Sequence, residues 1–304
     1  MSTEGGMRAV LAALIANLGI AAAKFVAFFL TTSTSMLSEA VHSLADSGNQ
    51  VLLLIGSKHA KRTTSADHDF GYGRVRYIYG FIVSIVLFVV GGAYSLYEGI
   101  HKWQHPEEVG RPEIALAVLA VAIVLESFSL RTAIKEVNHI RGRRTIWQFV
   151  RASRQPELPV IVLEDIGALT GLLFAFIGVV LSTVTGDARF DGLGAMAVGV
   201  LLVVIAIILS LEMTSMLVGE SALEEDRAAI SKTLDAAPFV NRLIHLRTLH
   251  VGPDELLVAA KVAVTPTMTA QEISVAVDEV EGQIRAVVPQ SRYIFIEPDI
   301  ERAQ

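Results

Sequence analysis

Of 304 residues, 52% are apolar by type and 18% charged, more apolar material than one soluble core can hide. The net charge of −6, with no domain presenting a basic surface, argues against a nucleic-acid partner. The absence of cysteine excludes disulfides, thiolate metal ligands and thiol redox chemistry.

Six apolar stretches, near residues 7–30, 34–57, 78–100, 112–132, 158–184 and 190–214, predict membrane-spanning helices. Each has about 20 residues or more, enough to cross a hydrocarbon layer ~30 Å thick. The first opens with little positive charge, is too long for a signal-peptide core and lacks a small-residue cleavage site, so it reads as a retained helix. Lys58, Lys61, Arg62, Arg74 and Arg76 lie between spans two and three. Arg131, Lys135, Arg141, Arg143, Arg144, Arg151 and Arg154 lie between spans four and five, whereas the alternate connections offer Lys102, Arg111 and Arg189. This asymmetry predicts cytoplasmic termini, in the cell membrane as the expected bilayer. Trp147 and Phe149 among the charges of the basic loop suggest an amphipathic segment at the headgroup boundary, a solvated linker being the alternative.

From about Ser215 the composition becomes that of a small soluble domain, which divides the chain into a transmembrane part, 1–214, and a C-terminal part, 215–304. Ser221 with Glu224, and Thr269 with Glu272, have capping-box spacing and predict helices near 222–236 and 270–288. Stretches near 242–251, 255–265 and 292–297 read as strands. The order αββαβ implies a small sheet with helices on one face, and an exposed helix or sheet face is a natural dimer surface.

A charged group at membrane depth costs several kcal/mol, so it marks a site or a pathway. In span two, His42 and Asp46 stand four residues apart, on one helical face, with Glu39 and Asn49 extending the stripe by three residues either way. An imidazole and a carboxylate so placed can reach one ion. The nitrogen and oxygen donors suit zinc, with manganese, cobalt or iron(II) as further possibilities, and disfavour calcium and magnesium. The alternative for this pair is a buried, neutral hydrogen-bonded tie between helices. Glu164 and Asp165 near the start of span five precede Gly167 and Gly171, small residues that admit a neighbouring helix, expected to be span two. Asp165 at depth would supply the oxygen donor that span two lacks. For Glu164, a first-turn position at the aqueous end competes equally. Asn17 and Glu126 read as interhelical hydrogen-bonding groups, and Lys24, Glu98 and Asp191 as snorkelling or capping residues near span ends.

These residues resemble the cation diffusion facilitator family of metal/proton antiporters, and more narrowly its zinc-transporter-9-like branch. The resemblance runs through Ser38 to Asn49, the loop Asp67 to Arg74, the Glu164–Asp165 pair, Asp191 and the αββαβ tail. It implies an α-helical membrane protein with six transmembrane helices, a ferredoxin-like α+β cytoplasmic domain and a homodimer. In the better-known zinc branches two ligands stand on span two and two on span five, each pair four residues apart. Here His42, Asp46 and Asp165 match, but Ile161 occupies the fourth position, leaving Glu164, Asn49, Glu39 or water to complete a tetrahedron. In the loop, His68 and Asp67 are potential donors, but Tyr72 stands where a histidine would help, and a tight turn with Gly71 and Gly73 supplying backbone freedom is the simpler reading. Positions that carry histidines in metal-sensing relatives are Ile244, Ala260 and Ser274. His245 and His250 remain, an odd number of residues apart and so on opposite faces of a strand unless a bulge intervenes.

The resulting expectation is a divalent-cation transporter, not an enzyme, exporting zinc by proton antiport with alternating access, with the bilayer, the ion and a second copy of the chain as its partners. Two alternatives stand beside it: a metal-dependent regulatory or scaffold protein, and a membrane metalloenzyme, which would require a substrate-sized polar cavity.

Overall fold

The structure, a computed structural model, describes residues 3–31, 34–106 and 111–300. It divides into two compact units: residues up to His59 with Val75–Thr214, and Ala60–Arg74 with residues from Ser215 onward. The connection between the second and third spans therefore belongs with the C-terminal unit.

The first unit contains α1 (Thr3–Thr31), α2 (Thr34–Ala60), α3 (Val75–Val86) continuing through a π-helical turn (Leu87–Ala93) into α4 (Tyr94–Gln104), α5 (Pro112–Ile140), the short α6 (Ile146–Ala152), α7 (Glu157–Thr185) and α8 (Arg189–Val218). Among the described residues five helical stretches are long and apolar enough to cross a membrane: Ala9–Val26, Val75–Gln104, Pro112–Ile140, Glu157–Thr185 and Arg189–Val218. The second of the six expected spans, α2, has the length, 27 residues, or about 40 Å at 1.5 Å per residue. Its composition falls short because Glu39, His42, Asp46, Asn49, Gln50 and Lys58 interrupt the apolar run.

Small residues set how closely these helices approach. A Cβ added at Gly99 would lie 2.5 Å from the Met196 backbone nitrogen, and one at Gly192 would lie 2.9 Å from that of Trp103, so the third span and α8 meet backbone to backbone. Gly167 and Gly171 of α7 receive Ile205 and Val198 of α8, rather than the α2 partner expected from sequence. Their side of α7 faces the apolar stretch of α8 around Val198 and Ile205, where close packing needs no polar matching. Phe149 and Val150 of α6 are buried in the same apolar cluster as Leu158, Ile161 and Leu163, while Trp147 is exposed. The short helix is started by a capping box in which Thr145 and Gln148 satisfy each other's backbone. At the start of α3, the Arg76 guanidinium grips the Glu157 carboxylate at the start of α7 with two bonds, Nε–Oε1 2.5 Å and Nη2–Oε2 2.6 Å, both side chains being buried.

In the second unit α9 (Glu224–Asp235), β1 (Val240–Gly252), β2 (Glu255–Val264), α10 (Ala270–Val287) and β3 (Ser291–Ile300) reproduce the expected αββαβ order. The sheet runs β1-β2-β3, β1 antiparallel and β3 parallel to β2. The Thr269–Glu272 capping box forms, and its donors hold the Glu272 carboxyl below the usual carboxylate range. The Ser221–Glu224 box does not form, and α9 starts after Leu223. The approach to α9 is instead tied to β1, by His250 N–H donating to the Glu220 carbonyl at 2.9 Å and Ala222 N–H to Thr248 Oγ1 at 3.0 Å. His245 is exposed and His250 is buried, with register shifts beside both.

The loop Ala60–Arg74 makes the expected turn, with Gly71 at φ 76°, a left-handed conformation open to glycine. Tyr72 stacks on His68, ring centroids 4.5 Å apart, and shares a hydrogen bond with Ser65. Gly73 serves differently from the expectation: its φ is ordinary, but a Cβ there would come within 2.8 Å of Gly252 Cα, so it permits contact with the β1–β2 turn. Phe70 meets the Tyr293 ring edge to face at 5.1 Å in the same unit.

Replacing Glu157 by Leu leaves the Arg76 guanidinium buried without its carboxylate, at an expected cost of about 3–5 kcal/mol. Arg76→Met combined with Glu157→Leu should recover most of that loss. Thermal unfolding of the purified protein in detergent reads both, and equal midpoints for the single and double variants would show that the pair is not a mutual support.

Candidate metal centre

α2 carries its polar groups at helical spacing, so they form one stripe, and burial in an apolar bundle compels that stripe to find partners on other helices. The result is a cavity of about 60 Å³ in the first unit, lined by Asn17 and Lys24 of α1, His42 and Asp46 of α2, Glu126 of α5 and Glu164 of α7. With ~30 Å³ as the share of one water in the liquid, this volume suits an ion with a water or two.

His42 and Asp46 are both mostly buried, with Nε2 and Oδ2 3.7 Å apart. The other imidazole nitrogen, Nδ1, is buried without a hydrogen-bond partner. The π-helical turn passes beside this ring: a Cβ at Gly91 would lie 3.4 Å from His42 Cε1, so the absent side chain leaves the imidazole its place. Such π turns recur at functional sites because they shift the register of one helix against its neighbours.

The two adjacent acids of α7 meet different neighbours. Glu164 faces α2, accepting hydrogen bonds from Asn49 Nδ2 at 2.8 Å and Gln50 Nε2 at 2.9 Å. Gln50 in turn accepts from Asn17 Nδ2 at 3.2 Å, which extends the chain of amides to α1. Asp165, one residue on and about 100° round the helix, instead accepts from Ser129 of α5 at 2.8 Å and does not line the cavity. Both acids lie in the third turn of α7, buried, not at the helix start as the aqueous-end reading supposed. Ile161 is fully buried in the apolar core and offers no donor.

The structure thus brings His42, Asp46 and Glu164 to one cavity, with Asn49 bound to Glu164 beside it. Asp165 is turned toward α5. Among the described residues no three His, Asp or Glu groups converge closely enough to hold a metal. The Asn49 amide nitrogen is engaged, while its Oδ1 is buried without a partner and has its acceptor capacity unused. The side chain of Glu39 lies outside the described residues.

Lys24, expected to snorkel, is buried in the cavity wall, because it stands seven residues after Asn17 on the same face of α1. Glu126, expected to hydrogen-bond between helices, is buried with Oε2 unpartnered. Glu98 and Asp191 share Lys102, at 3.2 and 3.0 Å, and join α4 to α8. Gln50 and Ser129 were not singled out by sequence reasoning, although Gln50 continues the four-residue spacing of His42 and Asp46, and Ser129 follows Glu126 by three.

Residues 10–218 match the family described as cation efflux transmembrane domain. The proton-coupled zinc antiporter SLC30A9, mitochondrial, of Mus musculus is 33% identical over 241 residues, 79% of this chain and 42% of that protein. Metal tolerance protein C4 of Arabidopsis thaliana is 26% identical over 273 residues, 89% of this chain and 60% of that one. Cation-efflux pump FieF of Serratia proteamaculans is 27% identical over 235 residues, 77% of this chain and 73% of that one. The chain spans less than half the length of the mouse protein that it matches.

Glu164→Leu would leave two buried amide donors unsatisfied, at a cost of about 1–3 kcal/mol for each. The thermal midpoint of the metal-free protein should fall accordingly, with Glu164→Gln showing a smaller loss. An unchanged midpoint for Glu164→Leu would mean that the amides find other partners.

Proposed function

The chain belongs to the cation efflux family, and we propose that it carries a divalent transition metal across a membrane, zinc foremost, in exchange for protons. The observation that supports this most is the buried cavity holding an imidazole and a carboxylate one helical turn apart, with an imidazole nitrogen unpartnered. His42 and Asp46 are the α2 half of the ligand set. The α7 half comes from Asp165, released from Ser129, or from Glu164, with the free Asn49 oxygen or water completing the shell. Manganese, cobalt and iron(II) suit the same donors. The relative named for proton-coupled zinc antiport favours zinc and the proton as the exchanged pair.

Coupling follows from the donor chemistry. A metal-bound site needs a neutral imidazole and ionised carboxylates, so protons and metal compete for the same atoms. Rocking of the bundle between two openings then converts that competition into exchange. On the positive-inside reading of the basic connections, Ala60–Arg74 among them, the C-terminal unit lies in the cytoplasm, which this proposal takes as the compartment that metal leaves. An exposed helix or sheet face of the C-terminal unit is the surface through which two copies pair in this reading. An enzyme built on the same donors needs room for an organic substrate beside the ion, which about 60 Å³ does not give.

In proteoliposomes with a higher proton concentration inside, loss of protons outward should drive zinc inward, and Asp46→Ala should reduce that flux to the level of protein-free vesicles. Zinc affinity should fall as pH falls, because each step of protonation removes a donor. Gradient-driven flux of normal rate in Asp46→Ala would reject the site, and function in cells without any flux would favour the scaffold reading.

A further inference from the structure

The third span ends in a pair of histidines that do not line the cavity. His101 stands in the last turn of α4, and His105 directly follows the helix, its N–H donating to the His101 carbonyl at 2.8 Å. That bond carries the helical path from one residue to the other, so the two imidazoles stand one turn apart on one face. Both side chains are exposed. Their ring centroids lie 4.9 Å apart with the planes at 34°. The Tyr97 ring, one turn earlier, runs nearly parallel to that of His101 at 6.2 Å. Two imidazoles on one tetrahedral zinc, each with a Zn–N bond of about 2.1 Å and its ring centre roughly 1.1 Å further on, have centroids about 5 Å apart. The separation of the two rings is thus that of a chelating pair. Lys102, the cation between them in sequence, is drawn away to Glu98 at 3.2 Å and to Asp191 of α8 at 3.0 Å. Its charge is set between two acids and does not stand unopposed beside the imidazoles.

We propose that His101 and His105 form a second, surface site for a divalent transition metal, with two imidazole nitrogens as ligands and water completing the shell. Imidazole donors suit zinc, copper and nickel, and a pair without a carboxylate disfavours calcium and magnesium. The binding itself does not depend on how the buried cavity is read, but the use assigned to it does. α3 follows the basic connection Ala60–Arg74, and α4 closes the other end of the same span. With the cavity as the transport site and the basic connections in the cytoplasm, the histidine pair stands on the face to which metal is delivered, and it holds ions that have crossed.

The test is zinc titration of the full-length protein in detergent by calorimetry, in the Asp46→Ala background so that the cavity does not contribute. Adding His101→Gln and His105→Gln together should remove one zinc equivalent per chain, and either change alone should weaken that binding by about tenfold or more. His101→Gln/Gln104→His keeps two imidazoles but sets them on neighbouring positions, about 100° apart around the helix. It should lose the zinc equivalent as fully as the paired change does. The same zinc binding with and without His101→Gln/His105→Gln, or full binding by the displaced pair, overturns the proposal. Should the paired change not fold, the displaced pair still decides in the same way. Zinc flux in vesicles separates the two readings. Normal flux in Asp46→Ala sinks the cavity as transport site and with it the use assigned to the pair, whereas a zinc equivalent indifferent to both histidines sinks the surface site alone.

Discussion

The structure of the membrane unit depends on one constraint: α2 places acid, imidazole and amide groups where an apolar bundle surrounds them, and such groups are costly to leave without partners. The amides of α2 are answered by other helices, while the imidazole keeps one nitrogen unused. Gln50 reaches Asn17 on α1, Asn49 and Gln50 hold Glu164 on α7, and His42 lies against the side-chain-free Gly91 of the third span. The cavity is the remainder of this arrangement, the place where the polar groups face one another and no side chain fills the middle.

The same constraint explains why α7 is built as it is. Glu164 and Asp165, being adjacent on a helix, cannot share a direction, so they serve α2 and α5 respectively, while Gly167 and Gly171, three and seven residues after Glu164, bring α8 close along the Glu164 side. A helix that meets three neighbours in three ways holds the bundle and the site with the same few residues. Lys24 of α1 lines the same wall as Asp46, Glu126 and Glu164, a cation among acids.

Much of this was legible in the residues themselves. Hydropathy and the four-residue spacing of His42 and Asp46 suffice to find the bundle and the polar face of α2, and the αββαβ tail follows from alternation and the Thr269–Glu272 box. What periodicity does not carry is which helix lies opposite. The glycines of α7 announce a close neighbour without naming it, and it is α8. Lys24 looked like an end-of-span residue because its depth depends on how far α1 extends, and Ser129 is an unremarkable serine until Asp165 is seen beside it. The Ser221 box has the right spacing, but the backbone there is already committed to β1. The role of Gly73 depends on a contact with Gly252, about 180 residues away in sequence, which no local pattern encodes.

The widened turn at Leu87–Ala93 has a consequence for sequence change in this region. A π turn amounts to one residue inserted into an α-helix, and it rotates everything beyond it by about 100° relative to an uninterrupted helix. Loss of one residue there would heal the bulge while leaving the helix intact. The bare backbone beside His42 would then be exchanged for a neighbour with a side chain, and the glycine seam toward α8 would swing out of line. Length in this segment is thus under tighter restraint than composition, because a deletion acts on every residue from Tyr94 to Gln104 at once.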